Sequence, residues 1–222
     1  MAQIEELKTG DELQAAARSR LYQLLARAFS LPSRTFHRGL RQGSFAEEVA
    51  GNVSSLPYPL PIDEDVALAE AGSSYQELQG EYIRLFDVGV PRPPCPLYGG
   101  EYQKARKAVM EELIRFYNHF GLHPSSRSRD LPDHITAELE FMHFLTFKEV
   151  AALHQSQPRD SYLRAQRDFL ERHLCAWIPL LAQCLRRQHP HPFYAALTRL
   201  TEEFLARERD YLEGPLQGSA NP

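Results

Sequence analysis

The sequence predicts an all-α protein, a single globular bundle of about ten helices. Three observations carry this. Apolar residues return at steps of three and four through most of the 222-residue chain. Good helix formers fill the intervening positions, and proline- or glycine-containing breaks separate the runs. No segment alternates apolar and polar residues with the period of a strand, and there is no internal repeat.

Taken in order, residues 11–30 (DELQAAARSRLYQLLARAFS) place Leu13, Ala16, Leu21, Leu24, Leu25 and Phe29 near the helical period. Leu-Pro-Ser at 31–33 ends that helix and offers Ser33 as the cap of a short one, RTFHRGL; Ser44 is positioned to cap FAEEVAGNVSSL. LPYPLPIDED at 56–65 is a proline-rich connector. Helix resumes over 63–71 and again from Ser74 through Phe86, and a proline-dense loop then runs to Gly99. GGEYQKARKAVMEELIRFYNHFGL reads as one long helix, with Ala105, Val109, Leu113, Phe116 and Phe120 on one side and Gly121 suited to a left-handed stop. After the polar SSRSRDL loop, PDHITAELEFMHFLTFKEVAALHQ is apolar nearly all round, the mark of a central, buried helix. Residues 159–188 form a further helical stretch with a bend expected at Pro179, and PFYAALTRLTEEFLARERDYL is the last helix. The expected layout is an N-terminal extension (1–10), a helical domain (11–212) in which the connector near residue 60 sets off a candidate smaller lobe (11–60), and a disordered tail (213–222).

Composition excludes several classes. A net charge of −4, with Lys and Arg interleaved among Asp and Glu, lacks the basic footprint of a nucleic-acid binder. Cys95, Cys175 and Cys184 are odd in number and form no C-x-x-C, which argues against a disulfide framework or zinc ribbon and reads as buried, inert thiols. The start, MAQIEELKTGDEL, lacks the basic-then-apolar layout of an export signal, and the most apolar window, CAWIPLLAQCL, is too short for a bilayer. The expected location is the cytoplasm, with no membrane insertion.

Chemistry-bearing patterns are sparse. Glu140-x-x-His143 has the spacing of a di-iron ligand pair, but a second copy and two further carboxylates are missing. There is no G-x-S-x-G elbow, no H-E-x-x-H and no P-loop; Gly99-Gly100 serves a chain turn better than an anion, since Glu101 follows at once. Two features remain. Tyr75, Leu78, Tyr82, Leu85 and Phe86 share a helix face beside the stiff VPRPPCPLY loop, either as core or as the floor of a groove for an apolar peptide. Pro132 and Asp133 open a helix on which His134, Glu138, Phe141 and Leu145 share an arc. Asp133 is either its cap or, with Glu138, an acidic receptor for a cationic ligand; His134 and Glu138 pair with each other or await a partner.

Glu81-Tyr82-x-x-Leu85-Phe86, the Pro91–Tyr98 loop followed by Gly99, and Pro132-Asp133-His134 leading to Glu138-Leu139-Glu140-Phe141-Met142 together resemble the TorD/DmsD/NarJ type of redox-enzyme maturation chaperone. The resemblance implies an all-helical cytoplasmic chaperone without catalysis of its own. Its partner would be the catalytic subunit of a molybdenum oxidoreductase, both the twin-arginine signal peptide or N-terminal segment and the folded body, held until the cofactor is inserted. By the same resemblance, Tyr82, Leu85 and Phe86 match peptide contacts, with tyrosine at 82 where tryptophan is frequent. Pro96, Tyr98 and Gly99 match the loop, and Asp133 and His134 a polar hot spot. Leu97-Tyr98-Gly99-Gly100-Glu101-Tyr102 is similar to chaperones of dehydrogenases and oxyanion reductases related to nitrate reductase. No cofactor is expected to be bound permanently; transient contact with molybdopterin guanine dinucleotide or GTP stays open. So does the choice between a monomer and a helix-exchanged dimer hinged near residue 60 or at 124–131. The competing readings are a helical metal enzyme built on Glu140 and His143, and a generic helical adaptor.

Overall fold

The computed structural model describes residues 9–61, 73–123 and 131–218. The expected helix at 63–71 and most of the SSRSRDL loop lie outside the described residues. Within them are nine α-helices and no strand: α1 Gly10–Ala28, α2 Arg34–Arg41, α3 Ser44–Val53, α4 Tyr75–Tyr82, α5 Arg106–His119, α6 Ile135–His154, α7 Asp160–Arg172, α8 Leu174–Arg187 and α9 Pro192–Gly218. A π-turn, Ile83–Asp87, extends α4, and a short 3₁₀ turn, Gly99–Glu101, precedes α5.

Local chemistry sets several helix ends. Thr9 and Glu12 form a capping box on α1, Ser74 and Glu77 another on α4, and Ser33 accepts from the Phe36 N–H as expected. At α3 the cap position is Gly43 rather than Ser44. Gly43 sits at φ +78°, a conformation open to glycine, and the Ser44 hydroxyl donates to the Gly39 carbonyl instead. Gly121, at φ +72°, closes α5 as its position implied.

Tertiary contacts override the sequence pattern elsewhere. The long helix expected from Gly99 begins only at Arg106, because the glycine N–H groups are drawn to Asp133: Gly99 N to its carbonyl (2.8 Å) and Gly100 N to Oδ2 (3.0 Å). The 159–188 stretch breaks at His173 (φ −116°, ψ −89°), while Pro179 stays inside α8, where it gives up one backbone hydrogen bond. The last helix continues to Gly218, beyond the boundary at residue 212 expected from the sequence.

The core is built on α1 packed along α6, with α7, α8 and α9 closing one side, α3 lying over α1 and α2 against α3. Leu21, Tyr22, Leu25 and Phe29 of α1 meet a layer that includes Leu139, Met142 and Leu145 of α6, all buried. The expected central position of α6 is what the structure shows.

One polar cluster runs through this core. Arg18, fully buried on α1, donates to both oxygens of Glu208 on α9 (2.6 and 2.9 Å), to Glu149 on α6 (2.9 Å) and to Gln166 on α7 (2.6 Å). Tyr22 and Tyr58 add hydrogen bonds to Glu208 at 3.0 and 2.5 Å. Burial opposes the Arg18 charge, but Glu208 and Glu149 outweigh it and hold the guanidinium above its ordinary range. Tyr58 belongs to the proline connector, so this cluster ties the connector to four helices.

Candidate functional site

The π-turn at Ile83–Asp87 ends α4 with a wider winding, a feature frequent at functional sites. The chain then reverses through the proline loop, with a cis peptide at Val90–Pro91. The loop returns alongside the π-turn, where the Cys95 N–H donates to the Leu85 carbonyl (2.9 Å). Leu97–Gly99 next pairs with Asp133–Ile135. The Ile135 N–H donates to the Leu97 carbonyl (2.9 Å), the Gly99 N–H to the Asp133 carbonyl, and Tyr98 forms a bridge with His134. We call this short pairing the clasp. It fastens the loop to the first turn of α6.

Two glycines make the clasp fit. A Cβ on Gly99 would lie 2.9 Å from Trp177 Nε1 and 3.1 Å from Glu138 Oε1; one on Gly100 would lie 2.8 Å from Asp133 Oδ2. Trp177, on α8, donates to Glu138 Oε2 (3.1 Å) and stacks on Tyr102. Asp133 therefore does not cap α6. His134 does, accepting from the Thr136 N–H through Nδ1, which also lies 2.7 Å from Thr136 Oγ1. Asp133 is instead the acceptor that holds Gly100, and Glu138 pairs with Trp177.

Two buried acceptors are left over: Asp133 Oδ1 and Glu138 Oε1 have no hydrogen-bond partner. Such atoms are rare in folded proteins, because an unmet buried acceptor costs about 1–3 kcal/mol. Burial pushes the Glu138 carboxyl well above the usual carboxylate range; its bond from Trp177 acts the other way and the nearby Asp133 adds to the rise.

The aromatic face is in place but turned inward. Leu78, Tyr82, Leu85 and Phe86 are all buried. Tyr82 donates to the Phe29 carbonyl (3.3 Å), and Tyr82 and Phe86 pack edge-on and tilted against Tyr194 of α9. Of the two readings the sequence left open, core or groove floor, these side chains take the first, and they form no open groove. Asp133 and Glu138 are fully buried, Pro96, Gly99 and His134 are buried, and Tyr98 alone of the nine is half-exposed. The reason is supply. Tyr194 and Phe29, remote in sequence, give the stripe its partners. What the site presents to solvent is the outer loop: Val88 (62% exposed), Val90 (100%), Pro91, Arg92 and Pro94, with Arg92 paired to Glu101. Val88 and Val90 are additions the sequence reading missed; two β-branched residues flanking a glycine before a proline run were the available signal.

The remaining candidates are placed as follows. Glu140 and His143 line a cleft of about 500 Å³ between α1 and α6 together with Arg20 and Arg27. His143 Nδ1 lies 2.9 Å from the Ser19 carbonyl, and burial lowers its basicity, an effect to which Arg20 adds. Two arginines in the cleft oppose a cation. Among the described residues no three His, Cys, Asp or Glu side chains gather as a metal site would require, and no helix is long and apolar enough to cross a membrane. The cysteines depart from expectation. Cys95 and Cys184 are joined as a disulfide with Cα atoms 5.9 Å apart, and Cys175 is free. Spacing in sequence hid this pairing, since folding α8 beneath the loop brings together residues 89 apart.

Comparison with known proteins places the chain in a family. The nitrate reductase delta subunit family model matches residues 55–183, which span α4, the proline loop, the clasp and most of α8. The chain is 36% identical over 197 residues to the perchlorate reductase assembly chaperone protein of Dechloromonas aromatica, covering 85% of this chain and 87% of that one. It is 35% identical over 207 residues to the dimethyl sulfide dehydrogenase assembly chaperone protein of Rhodovulum sulfidophilum, covering 88% and 80%. A chaperone protein TorD of Vibrio cholerae is 25% identical over 201 residues, covering 88% and 86%. The chain belongs to the nitrate reductase delta subunit family, the redox-enzyme maturation chaperones whose loop and helix motifs it carries.

Proposed function

We propose that this protein is a non-catalytic, cytoplasmic assembly chaperone that holds the N-terminal twin-arginine segment of a molybdenum oxidoreductase catalytic subunit until that subunit is mature. The observation that carries the reading is the clasp. A stiff loop with exposed Val88 and Val90 and a half-exposed Tyr98 closes over two buried carboxyl oxygens that have no hydrogen-bond partner. Apolar client residues dock on the loop and Tyr98, and when the clasp opens a client arginine supplies donors to Asp133 Oδ1 and Glu138 Oε1. A guanidinium suits that pair, because it carries a positive charge and several N–H donors in one plane. Tyr82, Leu85 and Phe86 form the floor on which the loop rests. Burying three or four leucine-sized client side chains contributes about 5–10 kcal/mol gross, and ordering the segment subtracts several. The net is an affinity of roughly micromolar order, which lets the client go.

The test is recovery of the client. Tagged protein, isolated from cells expressing a molybdenum oxidoreductase whose gene neighbours this chaperone's, is expected to bring down the catalytic subunit carrying its leader and to lose it when the leader is deleted. Equal recovery of leaderless subunit would place binding on the folded body and overturn the leader reading.

A further inference from the structure

We propose that Cys95 and Cys184 are a thiol–disulfide couple that gates the proline loop, and that reduction by a low-molecular-weight thiol releases the loop for the client. The idea rests on the reading of that loop as the client contact. The geometry is that of a tie across a hinge. Cys95 is fully buried in the loop and Cys184 is half-buried on α8, with a Cα separation within the range a disulfide needs. Cys184 lies seven residues after Trp177, two turns along the same face of α8, or about 10 Å. The helix therefore grips the loop twice: Trp177 holds the Gly99 end through Glu138 and van der Waals contact, and Cys184 holds the proline end covalently.

The rest of the loop is lightly held. Pro91, Pro93, Pro94 and Pro96 have no N–H to donate. Val88 and Cys95 are anchored to the π-turn by backbone bonds to Ile83 and Leu85. Between them, Arg92 pairs with Glu101 at the surface (2.8 Å), and the Pro94 carbonyl lies 3.0 Å from Cys184 Sγ, where a reduced thiol has an acceptor ready. Breaking the covalent tie leaves the two backbone anchors, the exposed Arg92–Glu101 pair and the clasp, and the clasp is the part that must open for Asp133 and Glu138 to be reached. Cys175 does not compete: burial pushes its thiol up to about 11, so little thiolate forms.

The chemistry balances with two small thiols. The first, as thiolate, attacks the more accessible Cys184 sulfur, forms a mixed disulfide and expels the Cys95 thiolate, which takes up a proton. The second attacks the external sulfur of the mixed disulfide and releases the Cys184 thiol and a small-molecule disulfide. Two protein thiols and one small disulfide replace one protein disulfide and two small thiols.

The experiment uses the full chain, oxidised with glutathione disulfide or reduced with dithiothreitol. Denaturing thiol titration should count one thiol in the first form and three in the second. Amide exchange across residues 85–100 should quicken roughly tenfold on reduction, and a synthetic twin-arginine leader peptide should bind roughly tenfold more tightly to the reduced form. Cys184→Ser should behave as reduced protein in both buffers. Three thiols after oxidation, identical loop exchange in the two forms, or equal peptide affinity would each overturn the proposal. Peptide that binds neither form, with loop exchange still responding to redox state, would support the couple and count against the client reading alone.

Discussion

Arg18→Ala is expected to destabilise the fold by about 3–5 kcal/mol. The guanidinium meets three partners from three other helices in a space with no access to water. Removing it leaves Glu208 buried without a counter-charge, Glu149 with only the longer pair to Arg159 (3.3 Å), and the Gln166 amide oxygen without its donor. Tyr22 and Tyr58 still donate to Glu208, but neutral hydroxyls do not offset its buried charge. For a domain of this size the loss corresponds to a fall in Tm of about 6–20 °C, readable by thermal or urea unfolding. A change under about 1 kcal/mol would show that solvent reaches the cluster. Because Tyr58 anchors the connector, the same variant should expose residues 56–61 to proteolysis before the helices unfold.

Phe86→Ala is expected to cost about 3–5 kcal/mol, whereas Tyr98→Ala should cost no more than about 1 kcal/mol. Phe86 is 4% exposed and packs against Tyr82 and Tyr194, so truncation opens a cavity in the core. Tyr98 is half-exposed, with one side of its ring against His134 at 4.9 Å. Calorimetric melting of the two variants separates floor from contact surface. If Phe86→Ala melts with the wild type, the aromatic face is open after all, and the groove-floor reading regains its case.

Where structure follows from neighbours in the chain, the sequence was readable. Ser33 capping α2 and Gly121 ending α5 both depend on one residue and the next turn. The inward apolar stripe of α4 was visible too, with its direction left open, because Tyr194 and Phe29 lie far away in the chain. Other features answer to contacts that no local pattern records. Asp133 looked like a helix cap, yet the Gly100 N–H reached it first and His134 took over the cap. Gly99 and Gly100 looked like helix openers, yet they sit in a 3₁₀ turn where Trp177 and Glu138 crowd the first and Arg106 and Asp133 the second. Arg18 did leave a trace. It falls between Ala15, Tyr22 and Leu25 on the apolar face of α1, where a charged residue needs a buried partner. The Cys95–Cys184 pairing left none.

The central claim is that the loop and clasp receive a client leader. The most direct measurement is calorimetric titration of a synthetic twin-arginine leader peptide into reduced full-length protein, its Tyr98→Ala variant and, as a second ligand, the twin-lysine form of the peptide. The account predicts roughly micromolar binding to the wild type, weakening by about tenfold or more with Tyr98→Ala at an unchanged melting temperature, and a clear preference for arginine over lysine. Equal affinity for the two peptides together with indifference to Tyr98 would contradict it.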